Sequence, residues 1–80
     1  MVEVRYFAAI ADAVGKDTET LDLPPGSTVA DLRARLLADY GSELDKMLSV
    51  CAYLVGDELT RDTGAALSSR VDVLPPFAGG

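Results

Sequence analysis

The sequence predicts an α+β fold in which one main helix packs across one face of a mixed β-sheet. Short apolar stretches that alternate with polar residues mark several strands. Only one stretch, residues 28–41, repeats its apolar residues at long-range helical spacing. The elements follow one another as strand, strand, helix, strand, short strand and strand. At 80 residues the chain has the length of one small domain.

Two predicted strands precede the helix. Residues 2–7 read VEVRYF and alternate with period two, which places Phe7 on the face opposite the valines. Small residues in 8–16 predict a short helical turn or a loop. Residues 18–23 predict the second strand, which the Pro24-Pro25-Gly26 sequence should end.

The main helix has recognisable ends. The Thr28 hydroxyl can accept an early backbone N–H, and Asp31 three residues later suits the N-terminal helix dipole. Gly41 is the expected C-terminal cap. The apolar stripe between the caps comprises Val29, Leu32, Leu36, Leu37 and Tyr40.

The second half of the chain supplies the remaining strands. Residues 42–49 predict a short second helix or an irregular crossover, followed by strands at 50–55, 58–62 and 70–74. A β-grasp arrangement is the most economical packing of these elements, with the first and last strands parallel at the centre of the sheet. Leu74 and Phe7 are then expected together on the face away from the helix, where an apolar patch is typical of a partner site.

The composition excludes several functions. The net charge of −6 disfavours binding to nucleic acid or to an anionic membrane surface, and favours a partner with a basic face. No stretch reads as a signal peptide or approaches the roughly 20 apolar residues of a membrane span. Because a single cysteine cannot form an internal disulfide, the reducing cytoplasm is the predicted location.

No self-contained catalytic site is predicted within the chain. Histidine is absent from the sequence, which removes the commonest general base and metal ligand. Cys51 has apolar neighbours and predicts a packed thiol rather than a nucleophile. Asp57, Glu58 and Asp62 are better explained as polar turn residues. Without a glycine-rich phosphate loop, we expect no bound nucleotide, cofactor or metal.

The chemistry is instead expected in the tail, residues 75–80, which follows a domain of residues 1–74. Pro75 and Pro76 should end the sheet ladder and stiffen the exit of the chain. Gly79 and Gly80 lack side chains, which suits entry into a narrow tunnel of a partner. The Gly80 carboxylate is a poor electrophile and needs activation, for example as an acyl-adenylate made by a partner that uses ATP.

Three segments carry a resemblance to a known family. They are Val4-Arg5-Tyr6-Phe7-Ala8, Thr28-Val29 with Leu32, and the ending Val71-Asp72-Val73-Leu74-Pro75-Pro76-Phe77-Ala78-Gly79-Gly80. Together they resemble the small subunits of molybdopterin synthase, the MoaD branch of the ubiquitin-like sulfur carriers. The resemblance spans the chain, and the Pro-Pro-x-x-Gly-Gly ending is its most specific part.

The resemblance implies a mechanism in which Gly80 is central. An E1-like enzyme of the MoeB type adenylates its carboxylate with ATP, and a sulfur donor converts it into a thiocarboxylate. The tail then enters the large synthase subunit, in an expected heterotetramer, and delivers sulfur to a cyclic pyranopterin precursor. The partner-binding residues implied are Phe7, Leu74, Pro75, Pro76, Phe77, Ala78 and Gly79.

Other functions remain open at this point. Val55-Gly56 and Ser68-Ser69-Arg70 depart from the pattern of many family members, so the chain could carry sulfur to thiamine or to an amino acid instead. It could also be a ubiquitin-like modifier that forms isopeptide bonds through Gly80, or an interaction module with an inert tail.

Overall fold

The computed structural model describes residues 1–76, which form five strands and three helices. In chain order these are β1 (Val2–Tyr6), α1 (Ala8–Val14), β2 (Thr18–Leu21), α2 (Val29–Tyr40), α3 (Leu44–Ser49), β3 (Ala52–Val55), β4 (Glu58–Thr60) and β5 (Arg70–Leu74). Every predicted strand and the main helix are present. The two ambiguous stretches, 8–16 and 42–49, contain the short helices α1 and α3.

The strands form one mixed sheet in the order β2-β1-β5-β3-β4. β1 and β5 are parallel, with Val4 beside Val71 and Tyr6 beside Val73, whereas the other neighbours are antiparallel. The first and last strands are therefore adjacent at the centre, as predicted, and the β-grasp topology is confirmed.

Four strands are shorter than predicted. β1 stops at Tyr6 because Phe7 is the N-cap of α1, and β2 ends and β3 begins where the neighbouring ladder stops. β2 stops at Leu21, whose partner Val2 is the first residue of β1. β3 begins only at Ala52, the partner of Leu74, because Pro75 and Pro76 have no backbone N–H to continue the ladder. β4 ends at Thr60, opposite Tyr53 and one residue short of the start of β3, and the Thr60 hydroxyl accepts the Asp62 N–H just after the strand.

The apolar core lies between the sheet and the helices. Val4, Val71 and Val73 of the central strands are fully buried, and α2 contributes Leu32 and Leu36. α1 and α3 extend this layer, with Ile10, Val14, Leu44 and Leu48 buried among the core residues. We call the opposite face of the sheet, which no helix covers, the outer face.

The predicted caps of α2 are present. The backbone N–H of Asp31 donates to the Thr28 hydroxyl, and the Thr28 N–H donates to the Asp31 carboxylate, which forms a capping box. Gly41 ends the helix at φ +100°, in the region that favours glycine. Among residues 1–76, no helix has the length and apolarity needed to cross a membrane.

Candidate functional site

The structure places Leu74, Pro75 and Pro76 at one end of the two central strands. Tyr6, the last residue of β1, pairs with Val73, so Leu74 and the following prolines leave the sheet beside Phe7. Four predicted site residues, Phe77, Ala78, Gly79 and Gly80, lie outside the described residues, and their roles stay predictions. The other four predicted residues are thus grouped at the end of the domain from which the tail extends.

Phe7 is held at a sharp change in backbone direction. It is the N-cap of α1 in an extended conformation, and Ala8 follows with a left-handed φ of +53°. Phe7 is 39% exposed, and strand alternation places its side chain on the outer face. An aromatic ring left this accessible beside the exit of the tail is suited to contact a partner.

Apolar residues continue from Phe7 across the outer face. The pairing of Ala52 with Leu74 and of Leu54 with Leu59 extends this surface to the β4 edge. Leu59 is 63% exposed, and Leu54 and Leu74 are half-buried. We call this surface the apolar patch, and it consists of Phe7, Ala52, Leu54, Leu59 and Leu74.

The expected grouping of Phe7 and Leu74 is therefore present, but the patch is wider than the sequence predicted. Leu54 and Leu59 were not among the candidates. Leu54 could have been predicted. Successive side chains of a strand point to opposite faces, so Leu54 lies on the face away from its buried neighbour Tyr53. Leu59 lies in a three-residue strand, whose pattern is too short to identify a face.

A charged pair lies next to the patch. Arg5 and Asp72 are cross-strand neighbours in β1 and β5, and the guanidinium donates from Nε to Oδ1 and from Nη2 to Oδ2, both at 2.7 Å. The Asp72 side chain is only 6% exposed, against 41% for Arg5. Hydrogen bonds from Arg5 hold the pKa of the Asp72 carboxyl below its usual range. The pair therefore stays ionised at neutral pH.

A second polar cluster lies on the helix side of the sheet. Glu19 accepts hydrogen bonds from the hydroxyls of Tyr6 and Tyr40, the latter at 2.7 Å, and the Lys16 ammonium is 3.6 Å away. Burial disfavours the Glu19 charge, but the tyrosine hydrogen bonds outweigh this and lower its pKa. The cluster connects α2 to β1 and β2 and is separate from the apolar patch.

Two other features do not add to the site. Cys51 is buried, its thiol donates to the Met47 carbonyl at 3.1 Å, and burial raises its pKa, so it is the packed thiol that was predicted. A groove of about 440 Å³ between Met1, Pro24 and Leu67 lies near the start of β1 and β5, at the opposite end of these strands from Leu74.

Comparison with known proteins relates the whole chain to one family. A model of the ThiS family matches residues 4–80. The chain is 27% identical to a molybdopterin synthase sulfur carrier subunit from Chlamydomonas reinhardtii, across 99% of the chain and 98% of that protein.

Solved structures agree on the fold. SAMP1 from Haloferax volcanii superposes with a TM-score of 0.79 at 22% identity, across 99% of the chain and 98% of its own length. A second solved structure is a complex of subunits 1 and 2 of molybdopterin-converting factor from Helicobacter pylori. One of its chains matches with a TM-score of 0.66 at 27% identity. That match covers 99% of this chain and 97% of the Helicobacter chain.

Proposed function

Because the chain belongs to the ThiS family, we propose that it is a sulfur carrier and the small subunit of a molybdopterin synthase. The observation that carries this proposal is the end-to-end match to a relative of that name, in a fold whose exposed apolar patch borders the root of the tail. The proposed role is to present Gly80 to successive partners in the cytoplasm.

The first proposed partner is an E1-like enzyme of the MoeB type. Its ATP would be attacked at the α-phosphate by a Gly80 carboxylate oxygen, which forms the acyl-adenylate and releases pyrophosphate. Sulfide supplied by a donor would then attack the carbonyl carbon, expel AMP and leave a thiocarboxylate. The carrier itself contributes no catalytic group to either step and binds no cofactor.

The second proposed partner is the large synthase subunit. The Helicobacter relative, a complex of two subunits, supports a protein partner of this kind. We place the apolar patch in that interface and the tail in the active site of the large subunit, where the thiocarboxylate sulfur attacks a pyranopterin precursor. Pro75 and Pro76 suit this role because their fixed φ and missing N–H groups end the ladder of β5 just before the last four residues.

The proposal is tested by the chemical state of Gly80. After incubation with the adenylating enzyme, ATP and a sulfur donor, we expect an intact-mass increase equal to replacement of one oxygen by sulfur. Adding the large subunit and the precursor should reverse that increase and produce molybdopterin. A chain without Gly80 is the control and should show neither change.

Two outcomes would contradict the proposal. Carriage of sulfur to a thiazole or to an amino acid, with no molybdopterin formed, would keep the sulfur chemistry and refute the pathway. Lysine-linked adducts without a thiocarboxylate would identify a protein modifier instead.

A further inference from the structure

The outer face of the sheet contains an ion pair where an apolar patch would be expected to continue. Along one row of cross-strand partners, Arg5 lies beside Asp72, Asp72 beside Leu54, and Leu54 beside Leu59. Aliphatic side chains in place of the pair would have made a continuous apolar row. The pair therefore interrupts the surface that the proposed function assigns to docking.

Stability is a weak explanation for this pair. The removal of a largely buried carboxylate from water is costly, and apolar side chains of similar size often stabilise a fold at least as well as a buried ion pair. Asp72 is also the only charged residue among the buried residues that the structure describes. What the pair supplies is geometry, because a bidentate contact fixes the plane of the guanidinium.

The fixed guanidinium has two features that matter for docking. Its central carbon lies 5.7 Å from the centre of the Phe7 ring, within the range of a cation–π contact. Of the five N–H groups of an arginine side chain, two donate to Asp72. The rest belong to a side chain that is 41% exposed, so a partner can reach them.

We propose that Asp72 is a positioning residue and that Arg5 is a specificity-determining residue for a partner that binds the outer face of the sheet. Asp72 fixes Arg5, and Arg5 in turn holds the Phe7 ring and offers its remaining N–H groups to an acceptor oxygen on the large synthase subunit. The identity of the partner rests on the proposed function, but the positioning of Arg5 and Phe7 does not.

This arrangement selects between partners. A subunit with a carbonyl or carboxylate oxygen above Arg5 completes the hydrogen bonds of the guanidinium when the interface excludes water. A subunit with an apolar surface there leaves buried N–H groups without acceptors, which is unfavourable. The ion pair thus favours large subunits that place an acceptor oxygen opposite Arg5 over large subunits that place an apolar surface there.

The positioning is tested in the free chain with Asp72→Leu. In the wild-type protein, NMR should show an Arg5 Nε–H protected from exchange and a single χ1 rotamer for Phe7. In the variant we expect at least about 10-fold faster Nε–H exchange and rotamer averaging at Phe7. The control is Asp39→Leu, which breaks the Arg35–Asp39 pair on α2 and should leave both signals unchanged.

The specificity is tested by calorimetry with the large subunit from the same organism. Arg5→Leu together with Asp72→Leu should bind about 10-fold or more weakly than wild type, although the double variant unfolds at the same or a higher denaturant concentration. A purely structural pair predicts the opposite, because the larger apolar face would bind as well or better.

The NMR measurement decides the positioning role, and the calorimetry decides the specificity role. Unchanged Nε–H exchange and Phe7 rotamers in Asp72→Leu overturn the positioning role, and wild-type affinity in the double variant overturns the specificity role. If the wild-type chain fails to bind the large subunit, the proposed function and the specificity role are both refuted. The NMR signals still decide the positioning role in that case.

Discussion

At the scale of single residues, Glu19 has the largest number of side-chain partners among the carboxylates of residues 1–76. Two tyrosine hydroxyls donate to it, and Lys16 lies close enough for an ion pair. Burial raises the pKa of Tyr6, and the hydrogen bond to Glu19 raises it further. The ionised carboxylate and the neutral phenols therefore stabilise each other in the folded state.

Glu19→Gln should lower the free energy of unfolding at pH 7 by about 1–3 kcal/mol, because hydrogen bonds to a charged acceptor are lost. The folded-state pKa of Glu19 lies below its ordinary value, so its contribution is present above the unfolded-state pKa. It is lost as the pH falls through the folded-state pKa. The difference between wild type and variant should thus be constant near neutral pH and shrink only as the pH falls below about 4.3, the ordinary pKa of a glutamate.

Urea denaturation at several pH values measures this difference. Glu58→Gln, at an exposed carboxylate of β4, is the control and should change stability little at any pH. A Glu19→Gln effect that stays constant across the acid range would show that its charge is not the source of the stabilisation.

At the scale of elements, the junction between β1 and α1 sets the direction of Phe7. The chain turns there through Ala8, whose left-handed φ is costly for a residue with a Cβ. The cost is tolerated because β1 and the buried Ile10 of α1 fix both sides of the turn.

Ala8→Gly should therefore leave the free energy of unfolding unchanged or raise it by up to about 1 kcal/mol, since glycine adopts this φ freely. The same change in the exposed middle of α2, Ala34→Gly, should lower stability by about 1 kcal/mol. Chemical denaturation of both variants provides the comparison. Equal losses at the two positions would mean that the turn at Ala8 is not strained.

The elements also show what the sequence could predict. The bounds of β5 and the caps of α2 were predictable because Pro75-Pro76, Thr28 and Gly41 act locally. α1 and α3 were ambiguous because helices of seven and six residues are too short to show a clear apolar period.

The site also divides into features set by nearby residues, which could be predicted, and features set by distant residues, which could not. Phe7 and Leu74 were placed on one face by strand alternation alone. The Arg5–Asp72 pair was not predicted, because its partners are 67 residues apart and meet only through the register of two parallel strands. That register depends on the packed core and is not encoded near either residue.

At the scale of the whole molecule, the two faces of the sheet differ in burial: one is packed against the helices and the other is accessible. One face is covered by three helices and contains the apolar core, whereas the outer face bears the apolar patch and the ion pair. This separation predicts that patch residues can be changed with a small effect on folding and a large effect on binding.

Phe7→Ala should weaken binding to the large subunit by roughly 1–4 kcal/mol, as expected for an aromatic anchor in an interface. Val50→Ala is the matched control, because Val50 is also exposed, at 48%, but follows α3 outside the patch. Titration calorimetry should give wild-type affinity for the control. Equal affinities for the two variants would remove Phe7 from the interface.

The central position of β5 has a consequence for the newly made chain. Ribosomes release residues 70–74 after nearly all of the domain, yet this strand joins the β2-β1 half of the sheet to the β3-β4 half. Until it is inserted, Leu74 is not beside Phe7, and Arg5 lacks Asp72. Insertion of β5 therefore completes the sheet, the apolar patch and the Arg5–Asp72 pair in one step.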